Sequence, residues 1–191
     1  ILMSVGRRPV LKGFGLENIA VEIERGIKVN GYMQTSLPNI YAAGDVTGFS
    51  LLAHTASREA EVAVNHMLGI EDRMEYNAIP GVVYTNPEVS SVGLTEEQAT
   101  REGVEYTLHK LPMTYAGRFV AENEGQTGLC KILVAPDSKV LGVHMLGNPC
   151  SEFVCAACMA ITNSLTVEQL RRTVFPHPTV SEILKDGLMN V

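Results

Sequence analysis

The sequence lacks long apolar runs, an excess of basic residues and the cysteine content of a disulfide-built protein. Its longest apolar run, 153–161, is far shorter than the ~20 residues that a membrane-spanning helix needs. Fifteen Lys and Arg against 21 Asp and Glu give a formal net charge of −6, which argues against a broad nucleic-acid surface. These features predict a globular protein with no nucleic-acid partner and no membrane span.

The four cysteines are too few and too clustered for a secreted disulfide scaffold. Reduced thiols and a cytoplasmic location are therefore expected. Cys150 and Cys155 lie on a predicted helix, where five residues place them ~140° apart around the axis, too far apart to bridge. The Cys-x-x-Cys unit at 155–158 has no second pair with which to hold a metal. We expect buried structural cysteines and no metal site.

The first part of the chain predicts short strands followed by one helix. Alternating apolar residues and turn dipeptides favour several strands within 19–46. A helix is expected from Leu52 to Leu68, with Gly69 as its C-terminal cap. Charged residues such as Glu59 are expected away from its apolar face. That face is formed by Ala53, Ala56, Ala60, Ala63, Val64 and Met67.

A polar stretch at 71–77 marks a domain boundary near residue 75. Beyond it, strands grouped between helices predict an α+β domain with helices packed on an antiparallel sheet. The strands are expected at 82–84, 104–110, 129–135 and 139–146. The helices are expected from Thr95 to Gly103, over 150–162, from Thr166 and after Thr179.

A ligand contact is conceivable at the end of the apolar segment 40–43, where Gly44 and Asp45 follow. Small residues there allow a ligand to approach the backbone, and an Asp after a Gly can accept hydrogen bonds from sugar-like hydroxyls. Taken alone, the same residues favour an ordinary surface turn over a ligand contact.

His177 stands between two prolines, which restrict its backbone and suit a side chain that must be aimed. Imidazole takes up and returns a proton near neutral pH. Glu182, in the first turn of the helix that follows, could hold the ring by one nitrogen. The alternative is structural, because 179–182 also reads as a capping box in which Glu182 serves only the helix end.

Two segments together resemble one enzyme family, the pyridine nucleotide-disulfide oxidoreductases. Residues 35–45 resemble its second flavin-binding motif, which implies that Asp45 binds the ribityl chain of FAD. Residues 51–54 resemble the family's Met-Leu-Ala-His, the start of a helix whose first amides face the flavin ring. The implied FAD-binding residues there are Leu51, Leu52, Ala53 and His54, with Leu51 departing from the usual Met.

Two further segments fit the same resemblance. Residues 4–9 are similar to the chain's exit from the family's NAD domain, which implies that the backbone at Gly6 approaches NAD. Residues 177–182 resemble His-Pro-Thr-x-Ser-Glu, which implies His177 as the acid/base and Glu182 as the residue that orients it. In the family this His reaches the redox cysteines of the partner subunit, so a homodimer is implied.

Within the family, 84–99 resembles the dihydrolipoamide dehydrogenase branch more than the glutathione or mercuric reductases. This implies oxidation of a dihydrolipoyl group by NAD+, with lipoyl domains of 2-oxoacid dehydrogenase or glycine cleavage complexes as partners. The chain has neither a G-x-G-x-x-G turn nor the family's redox Cys-x4-Cys unit. Residues 150–155 share that spacing but lack its internal Asn and Gly.

The resemblance therefore implies that the chain is the C-terminal portion of a longer enzyme. This portion alone is expected to be inactive. Residues 1–10 would end the NAD-binding domain, 11–75 would form the returning part of an FAD-binding α/β domain, and 76–191 would form the interface domain. The alternatives are a dimerisation module without turnover and another reductase of the family.

Overall fold

The computed structural model describes residues 1–189, which fold as two units, one over Ile1–Glu75 and one that begins at Tyr76. The first unit contains one α-helix, α1 (Ala53–Met67), among loops and two short 3-10 turns, Leu16–Asn18 and Asp45–Thr47. The second contains a sheet and five α-helices. No helix in the described part of the chain has the length and apolar character that crossing a membrane requires.

The strands predicted within 19–46 are not formed. The segment makes only single bridges, Ile23 with Ile27 and Gln34 with Tyr41. Alternating side chains favour an extended backbone, but a strand also needs a neighbour to which it can bond over several residues. Among the described residues of this unit, no neighbour runs alongside for more than one bridge.

The predicted helix forms within one residue of its expected bounds, and Gly69 follows its end with a φ of 74°. Its buried face was predicted wrongly, since Val64 and Met67 are 51% and 56% exposed. The face that is buried lies about 100° further around the axis. It is formed by Thr55, Glu59, Val62 and Ala63.

The second unit confirms the predicted α+β class, with an antiparallel sheet in the order β1-β2-β5-β4-β3. Strand β2 was not predicted, because Val89 and Val92 point to opposite faces and serines stand between them, so the apolar period of a strand is missing. The strands are β1 (Gly81–Val83), β2 (Val89–Gly93), β3 (Thr107–Pro112), β4 (Leu129–Val134) and β5 (Val140–Leu146).

The helices of this unit follow local signals in the sequence. Helix α2 begins where the Thr95 hydroxyl accepts from the amide of Gln98, and it ends at Gly103 in the left-handed region. Helix α3 was not predicted and is short. The helices are α2 (Glu96–Glu102), α3 (Gly117–Glu122), α4 (Cys150–Thr162), α5 (Val167–Arg172) and α6 (Ile183–Asp186).

The core of the unit lies on one face of the sheet, where α4 packs against β2 and β5. Burial of apolar surface contributes ~25 cal/mol per Å², so this cluster of buried side chains stabilises the unit. It also anchors the chain near its end, because Ile183, Leu184 and Leu188 are buried in the same cluster. The loop that carries His177 is thereby held at both sides by a packed core.

All four cysteines are free, and burial raises the pKa of Cys130 to about 12. Cys150 is buried as well. The expectation of buried cysteines is wrong for Cys155, which is exposed, and incomplete for Cys158, which is half-buried. Cys155 lies on the side of α4 opposite the buried residues Phe153, Val154 and Ala157. Cys158 lies at the edge of that buried face and packs in part against the core.

Candidate functional site

The loop before α6 exposes His177 to solvent, and Glu182 at the end of the loop holds the ring by a hydrogen bond. The side chain is 81% exposed, and its Nδ1 lies 3.0 Å from Oε1 and 3.2 Å from Oε2 of Glu182. A carboxylate can only accept, so in the neutral ring Nδ1 carries the proton. Nε2 is then the nitrogen that can take up a proton from outside the loop.

Glu182 serves the ring and the helix end at the same time. It ends a short 3-10 turn, Val180–Glu182, and its Oε2 accepts from the backbone N–H of Thr179 at 2.9 Å. This bond and, to a smaller extent, His177 lower the pKa of the carboxyl. The carboxylate is therefore ionised at neutral pH, and the catalytic and capping interpretations of the sequence describe the same side chain.

The loop is stiffened by its own polar groups. The Thr179 hydroxyl donates to the carbonyl of Pro176 at 2.8 Å and lies 3.0 Å from the Ser181 hydroxyl. Val180, directly beyond, is 5% exposed and packs into the core. Rigid backbone and a buried anchor together fix the direction in which the imidazole points.

A second cluster, in the first unit, surrounds Asp45. The residue opens a 3-10 turn after Gly44, which has φ 82° and ψ −158° and lies so close to α1 that an added Cβ would be 3.2 Å from the Cβ of Ala56. The Asp45 side chain is 39% exposed, and its Oδ2 accepts from Nη2 of Arg7 at 2.9 Å. An exposed pair of this kind contributes little energy, so the carboxylate can exchange this partner for ligand hydroxyls.

The start of α1 follows the Asp45 turn closely. Leu51 and Leu52 are half-buried, whereas Ala53 and His54 are exposed. Leu52 is the N-cap residue and makes no side-chain hydrogen bond to the helix. A helix start without a side-chain cap suits an electron-rich group. An exposed carboxylate for hydroxyls and an uncapped helix start are what the ribityl chain and ring of FAD require, so these residues fit that cofactor.

One residue of this cluster escaped the sequence analysis. Glu59 is fully buried, and its Oε2 accepts from the backbone N–H of Gly44 at 2.5 Å. As a charged residue it was expected on the outer side of α1. The one sequence signal is its position three residues after Ala56, which places both side chains on the face of α1 that meets Gly44.

The remaining predicted site residue is Gly6, the expected contact to NAD. Gly6 is exposed, with φ 92° and no atom within 4 Å of an added Cβ, so ligands can reach its backbone. The structure thus brings His177 to Glu182, and it pairs Asp45 with Arg7. Over residues 1–189, no three His, Cys, Asp or Glu side chains gather as metal ligands.

Two sequence families match the chain. The pyridine nucleotide-disulphide oxidoreductase dimerisation domain matches residues 79–187, and the pyridine nucleotide-disulphide oxidoreductase domain matches residues 1–63. The chain belongs to this family, whose members use FAD and NAD.

The chain is also similar to individual named proteins. The chain is 39% identical to dihydrolipoyl dehydrogenase 3 of Pseudomonas putida, over 100% of the chain and 41% of that protein. It is 40% identical to the mitochondrial dihydrolipoyl dehydrogenase of Homo sapiens, over 98% of the chain and 37% of that protein. The chain thus spans about two-fifths of the length of these curated relatives.

Solved structures agree on the fold. The crystal structure of LpdA from Mycobacterium tuberculosis superposes with a TM-score of 0.91 at 26% identity, over 99% of this chain and 42% of that one. The HOCl-induced flavoprotein disulfide reductase RclA from Escherichia coli superposes with a TM-score of 0.83 at 27% identity. The match covers 96% of this chain and 43% of the RclA chain.

Proposed function

We propose that this chain is the C-terminal part of a dihydrolipoyl dehydrogenase, which oxidises protein-bound dihydrolipoamide with NAD+. The observation that carries the proposal is the His177–Glu182 pair, 3.0 Å apart on a stiff loop of the dimerisation domain. The relatives named for this activity support it. In this proposal 1–10 ends the NAD domain, 11–75 completes the FAD domain, and 76–191 is the interface domain.

His177 is the acid/base of the proposed reaction. Its Nε2 takes the proton of a thiol, and the Glu182 carboxylate at Nδ1 stabilises the imidazolium that results. Glu182 needs no proton of its own, because its lowered pKa keeps it ionised. We propose that the ring acts at the partner subunit's redox cysteines, so that the site is complete only in a homodimer.

The cofactor-binding residues of the proposal lie in the first unit. Asp45 would hold the ribityl hydroxyls of FAD, and residues 51–54 would present the start of α1 to the flavin ring. The backbone at Gly6 would approach NAD. When bound, FAD supplies the transfer of two electrons between the dithiol and NAD+.

Lipoyl domains of 2-oxoacid dehydrogenase or glycine cleavage complexes are the proposed protein partners. The cytoplasmic location remains a prediction. A second candidate is a reductase for another disulfide, such as glutathione or mercuric reductase, which the likeness to RclA favours. A third is a dimerisation module alone, favoured by the match over 79–187.

The test is His177→Gln in the full-length protein. We expect turnover of dihydrolipoamide to fall by ~10²–10⁴-fold, the usual contribution of a positioned acid/base. Flavin content should not change, because the ring is exposed and packs against nothing in the core. Glu182→Gln should cost less, since it weakens orientation and leaves the base in place.

Two results would contradict the proposal. Near-normal dihydrolipoamide oxidation by His177→Gln would leave the loop with its capping role only. A wild-type protein that reduces oxidised glutathione faster than it turns over lipoamide would favour the second candidate.

A further inference from the structure

Glu59 is a charged side chain in the interior of the first unit, and the proposed function assigns it no role. It lies on α1 with 0% exposure. Removing a carboxylate from water is costly unless polar partners replace the water. A buried Glu on an otherwise amphipathic helix therefore indicates a specific contact that the fold retains.

One such contact joins Glu59 to the Asp45 turn. Oε2 of Glu59 accepts from the N–H of Gly44, the residue directly before Asp45, at 2.5 Å. Gly44 has a φ of 82°, and its carbonyl accepts from the Thr47 hydroxyl at 2.9 Å. Since both backbone groups of Gly44 are bonded, the direction in which the chain enters Asp45 is determined by the Glu59 carboxylate and the turn itself.

A second polar contact holds the same segment further back. The Tyr41 hydroxyl and Nδ1 of His66 lie 2.8 Å apart. His66 comes seven residues, or two turns, after Glu59 on α1. The segment 41–44 is thus fixed to one helix at both of its ends, and Glu59 makes the contact nearer to Asp45.

We propose that Glu59 is a positioning residue of the flavin site. Its carboxyl group accepts the hydrogen bond from the Gly44 N–H, and this sets the position from which Asp45 presents its carboxylate to the ribityl hydroxyls. The inference rests on the proposed function, which assigns Asp45 to FAD. Glu59 itself touches no cofactor atom in this scheme, and it acts only through the turn.

The test is a double-mutant cycle on the full-length protein freed of its flavin, with the Kd for FAD measured by fluorescence titration. Asp45→Asn and Glu59→Gln should each weaken binding by about tenfold, since each weakens one hydrogen bond on which the placement of the flavin depends. The double variant should bind little worse than Asp45→Asn alone, because Glu59 acts through Asp45.

The matched control is Glu61→Gln, which removes a carboxylate from the exposed side of the same helix, 3.4 Å from Arg58. It should leave the Kd unchanged. If Glu59→Gln does not fold, Glu59→Asp, which keeps the charge on a shorter side chain, goes through the same cycle with the same criterion.

The outcomes separate the two proposals. Fully additive effects of the Asp45 and Glu59 substitutions, or an unchanged Kd in the Glu59 variant, would overturn the positioning role and leave the flavin assignment intact. An unchanged Kd in Asp45→Asn would overturn the flavin assignment of Asp45, and the positioning role with it.

Discussion

The Glu182 carboxylate accepts two hydrogen bonds, from the Thr179 amide and from the ring of His177, and both lower its pKa. A carboxyl whose pKa is lower in the folded chain stabilises the fold above its unfolded pKa of about 4.3. That stabilisation is lost as the pH falls through the folded pKa. We expect the wild type to lose more thermal stability than Glu182→Gln between about pH 6 and about pH 3. Parallel melting curves across this range would contradict the expectation.

His109 on β3 also destabilises the fold as the pH falls, but here the neutral form is the one that the fold accommodates. Its Nε2 is buried and has no hydrogen-bond partner within residues 1–189. Burial and, second, the positive charge of Arg171 lower the pKa of the ring. A lowered folded pKa means that the unfolded chain binds the proton more tightly, so stability falls as the pH drops below about 6.5.

The variant that tests this is His109→Leu, which removes the titrating group from the same position. We expect the urea concentration at the midpoint of unfolding to be lower at about pH 5.5 than at about pH 7.5 in the wild type. The difference between the two pH values should be smaller in the variant. An equal fall in both proteins would show that His109 does not cause the loss of stability at low pH.

At the scale of elements, those defined by local chemistry could be predicted and those defined by distant neighbours could not. Helix α2 formed as expected because Thr95 and Gly103 are signals within one turn of its ends. Strand β2 exists because Val89 to Gly93 pair with β5, more than 45 residues further along the chain. The sequence around Ser90 and Ser91 has no local pattern that predicts this pairing.

Two glycines show how an element's surroundings decide the effect of one methyl group. Gly93 and Gly103 have similar φ values, 78° and 68°, so alanine is strained at either position. An added Cβ at Gly103 meets nothing within 4 Å, whereas at Gly93 it overlaps the carbonyl oxygen of Leu141 on β5. We expect Gly103→Ala to lower the free energy of unfolding by ~1–2 kcal/mol, the cost of an L residue in the left-handed region.

Gly93→Ala should lower it clearly more, because β2 must move away from β5. Chemical denaturation of both variants measures the difference. Equal losses would mean that backbone conformation alone, without the close approach of the two strands, explains the glycine at 93.

At the scale of the whole molecule, the candidate sites differ in how far the sequence could define them. His177 and Glu182 are five residues apart in one loop, so their contact could be anticipated from local spacing. Asp45 was found through a motif. The contact between Glu59 and Gly44 joins a helix to a turn, and it places a charge in the interior against the ordinary preference of Glu. The spacing of Glu59 from Ala56 is the one signal in the sequence, and it does not by itself overrule that preference.

Assembly of the molecule depends on what covers α4. The sheet side of the helix is buried, with Phe153, Val154 and Ala157 in the core. On the opposite side Met159 is 59% exposed and Cys155 is exposed. The exposed Met159 on a domain of the dimerisation family is suited to contact with a second copy, since most homo-oligomers close by a symmetric contact of one surface with itself.

We therefore expect the chain to sediment as a dimer at tens of micromolar, with an interface above ~2,000 Å² in total, as obligate dimers have. Met159→Glu should shift it towards monomer, because each subunit would bury an unpaired charge at the contact. Val64→Glu is the matched control, since Val64 is 51% exposed but lies on α1, outside the dimerisation domain. A wild-type monomer, or equal dissociation in the two variants, would remove α4 from the interface.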